Sequence, residues 1–205
     1  MQVYEIATLS IQMGKAGNIS AGVKAFCEQP EAKGRLLGIW NNDIGILNQV
    51  LVLRGFADEA EAAAERRRSL TAADPFNAAE WVENFSFDTY KPFPFTQPVE
   101  TGSFGAVYEI RTYGVKTGCL PKVFEVWEQA VPERTQFSRM TAALYSTDGS
   151  PRIVSIWPYA SVNDRGRTRA EPVAAGVWPP KGGPACLTND MVSVIGIPTA
   201  ESPLK

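Results

Sequence analysis

A segment near the middle of this chain, VYEIRTYGVKTG (Val107–Gly118), has a degraded copy at the very start, VYEIATLSIQMG (Val3–Gly14). At a constant offset of 104 residues the two share Val, Tyr, Glu, Ile, Thr and Gly at six of twelve positions. Self-similarity at a long, fixed period constrains a fold more than any local propensity, because each copy must build the same supersecondary unit. A length of 205 residues suits two units of about 100 residues each.

The copies give the same order of elements. In the first, Val3–Leu9 alternates with period two and reads as a strand. A helix follows from an Asn18 cap, with Ile19, Val23 and Phe26 on one face. Arg35–Trp40 and Gln49–Phe56 read as strands around a turn at Asn41–Gly45. Asp58 with Glu61 three residues later is a capping box opening a second helix through Leu70. A short helix over Ala78–Phe85 and a strand over Phe85–Tyr90 complete βαββαβ.

The second copy repeats this order. Val107–Val115 is a strand, and Lys122–Gln136 a helix with Phe124, Trp127 and Val131 on one stripe, kinked or shortened at Pro132. Ala142–Ser146 and Arg152–Tyr159 form a hairpin about Asp148-Gly149. A helix is capped by Ser161 with Asp164, and Met191–Ile197 is the last strand. At offset 103, Leu53–Ala57 aligns with Ile156–Ala160, so Arg54 and Trp157 are equivalent. The Pro/Gly-rich stretch Pro172–Pro184 is expected as an exposed loop carrying Trp178. The expected division is therefore residues 1–92, a linker over 93–105, and 106–205.

Composition narrows the chemistry. A hydrophobic content of 44% with 20% charged residues excludes disorder, and a net charge of −2 leaves no basic field for nucleic acid. No apolar run reaches the roughly 18 residues of a membrane span. With no leader pattern, cytoplasmic residence is expected. Cys27, Cys119 and Cys186 are scattered and read as inert thiols. There is no histidine, so any proton transfer must use Glu, Asp, Lys, Tyr or water. Neither a G-x-G-x-x-G fingerprint nor a P-loop is present, Asp43 has no clustered partners for a metal, and no cofactor is expected.

VYEIRTYGVKTG with its following helix, GIWNNDIGILNQV, and an arginine-rich helix (Glu65-Arg66-Arg67-Arg68) resemble the NIPSNAP family, in two tandem copies. The resemblance implies the dimeric α/β-barrel superfamily of ferredoxin-like domains. That is an α+β fold of duplicated βαββαβ units whose sheets face each other as an α/β barrel, with any ligand site in the barrel or its mouth. Superfamily relatives include cofactor-free monooxygenases, isomerases and haem proteins, and a homodimer is one arrangement the analogy allows.

Within strand one of the second copy, Tyr108, Ile110 and Thr112 share one face, and Glu109, Arg111 and Tyr113 the other. The Tyr/Ile/Thr set is expected to cover the helices. Glu109, Arg111 and Tyr113 are then expected to point between the sheets, as catalytic candidates around a carboxylate of raised pKa. Glu5, Trp40, Asn48, Arg54, Tyr145 and Trp157 are expected to bind the ligand. Trp127 is expected in the core. Glu65–Arg68 reads as a solvated helix face, with a small anion site as its alternative. Two functions remain: a cofactor-independent monooxygenase or isomerase acting on a small aromatic or polyketide-like molecule, or a non-catalytic binding or interaction scaffold.

Overall fold

The computed structural model describes residues 1–205. The first copy contains β1 (Val3–Ile11), α1 (Ser20–Cys27), β2 (Arg35–Ile44), β3 (Gln49–Phe56), α2 (Glu59–Thr71) and β4 (Val82–Pro92). The second contains β5 (Val107–Val115), α3 (Leu120–Arg134), β6 (Ala142–Ser146), β7 (Arg152–Tyr159), α4 (Val162–Ala174) and β8 (Leu187–Pro198). The eight strands close into one antiparallel barrel in the order β1-β3-β2-β8-β5-β7-β6-β4. Each copy contributes four consecutive strands, and the copies join through β2–β8 and β4–β6. No helix is long and apolar enough to cross a membrane.

Local chemistry is duplicated as well. Asp58 accepts a hydrogen bond from the Glu61 amide while Glu61 accepts from the Ala57 amide. Ser161 and Asp164 repeat the exchange with Ala160 at the start of α4. Each such cap contributes about 1 kcal/mol. Gly14 and Gly118 both take φ near +78°, a conformation that favours glycine, so both copies turn from strand to helix the same way.

The faces of the strands are the reverse of the expectation. Tyr4, Ile6, Tyr108 and Ile110 point into the barrel, where they pack with Leu37, Trp40, Leu53, Leu144, Val154 and Ile156. Trp40 lies against Tyr108 at 5.4 Å between ring centroids. A side chain on Gly38 would collide with the indole of Trp40, so this glycine is required by close approach. The linker and the C-terminus close the barrel. The Val99 amide donates to the Tyr4 hydroxyl, and the Tyr108 hydroxyl donates to the Lys205 carbonyl. The barrel interior is thus a packed core, and the expected ligand space between the sheets is occupied by side chains.

Glu5, Glu109, Arg111 and Tyr113 instead lie beneath the helices. The reason is electrostatic: a buried carboxylate needs charged partners, and the arginines that supply them sit largely on α2 and α4. Three local expectations also shift. Residue 18 belongs to a short 3₁₀ turn, and α1 has Ile19 as its cap without a side-chain bond. Residues 78–85 hold no helix; a 3₁₀ turn at Pro75–Asn77 leads to β4. Helix α4 continues through Pro172 to Ala174, which shortens the loop that follows.

Candidate functional site

Each copy buries one glutamate on the helix-facing side of its first strand, and the two have different surroundings. In the first copy Glu5 stands directly opposite Arg54 on β3. The Arg54 guanidinium donates to Glu5 at 2.5 Å and to Glu65 of α2 at 3.1 Å, and also reaches the Ser69 hydroxyl. Arg66 closes on the other oxygen of Glu5 at 3.1 Å, and Arg68 on Glu65 at 2.6 Å. Phe76 and Phe87 flank Arg54 at 5.3 and 5.5 Å. The space between sheet and helix is filled by ion pairs.

In the second copy Glu109 stands opposite Trp157 instead of an arginine. The helix position equivalent to Glu65 is Thr168, at the offset of 103 set by Arg54 and Trp157. Glu109 is fully buried. One of its oxygens accepts from Arg111 and Arg165, both at 2.5 Å, and from the Ser193 hydroxyl at 2.7 Å. Arg169 lies 3.7 Å from the other oxygen, which has no hydrogen-bond partner. Arg111 also donates to the Tyr113 hydroxyl.

A cavity of about 280 Å³ lies between β5, β7, β8 and the helical layer of the second copy. Its aromatic wall is Trp127, Trp157 and Trp178, with Trp178 edge-on to Trp127 at 5.0 Å and to Trp157 at 6.1 Å. Its polar wall carries Glu109, Arg111, Arg134, Arg169 and Tyr159. Val173 and Met191, both about half exposed, flank the mouth. Arg134, at the end of α3, is 3% exposed and has no carboxylate within salt-bridge distance. It donates to the Ser138 hydroxyl at 2.8 Å and stacks on Trp157 at 4.5 Å.

Burial pushes the Glu109 carboxyl up, but the bonds from Arg165 and Ser193 and the charges of Arg111 and Arg169 outweigh it, so its pKa lies below the ordinary value. Burial lowers the pKa of Arg134. It raises that of Tyr159, and the Glu109 charge raises it further. A depressed carboxyl pKa contributes stability that is complete above the unfolded value near 4.5 and is lost as pH falls through the folded value. The melting temperature is therefore expected to drop below about pH 4.5, and Glu109→Gln to flatten part of that acid limb. An unchanged acid profile in Glu109→Gln would show the ion cluster to be without energetic weight.

The NIPSNAP family profile matches residues 4–97 and again residues 108–203. This chain belongs to the NIPSNAP family. It is 29% identical over 183 residues to a NipSnap homolog of Dictyostelium discoideum, covering 86% of this chain and 78% of that protein. Among solved structures it resembles a candidate monooxygenase from Lactobacillus acidophilus (TM-score 0.66, 11% identity, 97% of this chain and 94% of that one). It also resembles an anthrone oxidase-like protein (TM-score 0.68, 9% identity, 100% and 94%). At those identities the two structural likenesses describe the fold.

Of the residues singled out from sequence, the second NIPSNAP copy brings Glu109, Arg111, Tyr113 and Trp157 to one cavity. Glu5 and Arg54 meet in the filled network of the first copy. Trp40 is in the barrel core. Asn48 is an exposed turn residue with φ of 54°, and Tyr145 stacks on Phe124 at 5.0 Å outside the cavity wall. Glu65–Arg68 is not a solvated face: of its four residues Arg67 alone is exposed. Sequence reasoning did not find Arg134, Arg165 or Arg169. The usable signal for Arg169 was its alignment with Arg66 at the same offset of 103.

Proposed function

We propose that the second copy is a small-molecule site taking a planar aromatic ligand between its sheet and helices, and that the first copy is its ligand-free structural counterpart. One observation carries this reading. The buried Arg54–Glu65 ion pair of the first copy has no counterpart in the second, which instead holds a cavity walled by three tryptophans. A cavity of about 150 Å³ holds a benzene ring, so about 280 Å³ suits one or two fused rings.

Turnover of that ligand without a cofactor, by oxygenation or isomerisation, is supported by the arginines, which can stabilise an enolate or phenolate as its charge develops. The names of the oxidase-like and monooxygenase-like proteins of similar fold point the same way. In this reading Arg111 and Tyr113 face the substrate. Glu109, held ionised by its arginines, is a weak base and positions them. A non-catalytic scaffold is the second reading, supported by the packed barrel and by Ile46 and Leu47 exposed at the β2–β3 turn.

Naphthoate and naphthylmethanol are suitable probes. Binding of either is expected to raise the melting temperature, by roughly 5–11 °C at a hundredfold excess over Kd, and to quench tryptophan fluorescence. Trp157→Ala is expected to abolish the shift. Failure of both probes to bind, or undiminished binding by Trp157→Ala, would overturn the proposal. Ligand-dependent uptake of dioxygen would separate an oxygenase from a binding protein.

A further inference from the structure

The cavity has an uneven charge balance. Three arginines line it against one glutamate, and that glutamate is already bonded to Arg111 and Arg165. Arg169 is 3.7 Å from Glu109, longer than a good hydrogen bond. Arg134 has no anionic partner although it is 97% buried. A buried charge without an anionic partner costs several kcal/mol, and the protein offers Arg134 the hydroxyls of Ser138 and Tyr159 and the faces of Trp157 and Trp178, all of them neutral groups. The same two indoles wall the cavity. A flat ligand against the tryptophans therefore meets guanidinium donors at its edge, and a guanidinium fork matches a carboxylate in a bidentate fashion.

Building on the binding-site reading above, we propose that the ligand is an aromatic carboxylate whose carboxyl group is anchored by Arg134, with Arg169 as the second donor. Arg134 belongs to the ligand, not to the fold. The first copy needs no such group, because Glu5 and Glu65 already neutralise Arg54.

The test compares naphthoate with naphthylmethanol, a neutral molecule of the same rings, by tryptophan quenching and thermal shift. In the wild-type chain naphthoate is expected to bind at least about tenfold more tightly. Arg134→Met is expected to bring naphthoate to the level of naphthylmethanol, costing naphthoate at least about tenfold and naphthylmethanol less than about threefold. The same variant should hold or raise the melting temperature of the free protein, an outcome that a structural role for Arg134 would not give. Arg134→Lys is expected to restore part of the preference, and it keeps the test open if the methionine variant does not fold. Equal binding of the two probes by the wild type, or a preference that survives Arg134→Met, would overturn the assignment and leave the aromatic site standing. Binding of neither would remove the site itself.

Discussion

Arg54→Met is expected to destabilise the protein by roughly 3–5 kcal/mol, which at this chain length lowers the melting temperature by roughly 6–20 °C. Arg54 is 1% exposed and lies between Glu5 and Glu65, themselves 0% and 1% exposed. Methionine fills the volume but leaves two buried carboxylates with one charged partner each, Arg66 for Glu5 and Arg68 for Glu65, both partly solvated. The cost arises from stranded charge, not from lost packing. The triple variant Arg54→Met/Glu5→Leu/Glu65→Leu should therefore recover most of the loss, since a buried ion network replaced by apolar groups is often neutral or stabilising. Urea denaturation of the two variants measures both numbers. A loss below about 1 kcal/mol in the single variant would show that water reaches the network and screens it.

The double substitution Trp157→Arg/Thr168→Glu is expected to take away an aromatic wall of the second cavity and weaken ligand binding by at least about a hundredfold (about 2.7 kcal/mol), without unfolding the chain. It writes the Arg54 and Glu65 chemistry into the other copy, where Glu109 and Arg169 already stand in the places of Glu5 and Arg66. The new arginine would remove the indole on which Arg134 stacks and which forms one wall of the cavity, and would set a charge where the ring of the ligand packs. Isothermal titration with naphthoate and a thermal melt of the same sample read both effects. Full binding by a folded double variant would place the ligand elsewhere.

Much of the fold was legible because it is written twice. The bounds of β3, β6 and β7 follow from short apolar runs between turn residues, and the caps of α2 and α4 follow from an acceptor three residues ahead of a carboxylate. The direction of the strand faces was not legible, since a barrel strand is covered on both sides and its alternation has no polar-out signal. The Tyr/Ile/Thr set, the more consistent of the two between copies, reads as the helix-facing side, which leaves Glu5 and Glu109 to the inner space. Neither sequence run shows that a helix 60 residues away brings Arg66 or Arg169 to them. Arg134 was invisible for the same reason: next to Pro132 at a helix end it looks like an ordinary C-terminal cation. Only its burial against Trp157 gives it meaning.

Barrel closure within one polypeptide has a consequence for stoichiometry. Two separate identical subunits must carry the same residues on both sides, so each pocket would be open or each would be plugged. Fusion lifts that symmetry requirement: one half can be tuned for rigidity and the other for its guest, and mutations in either are not mirrored. On the proposed reading, a protein built this way would hold a single guest molecule per barrel.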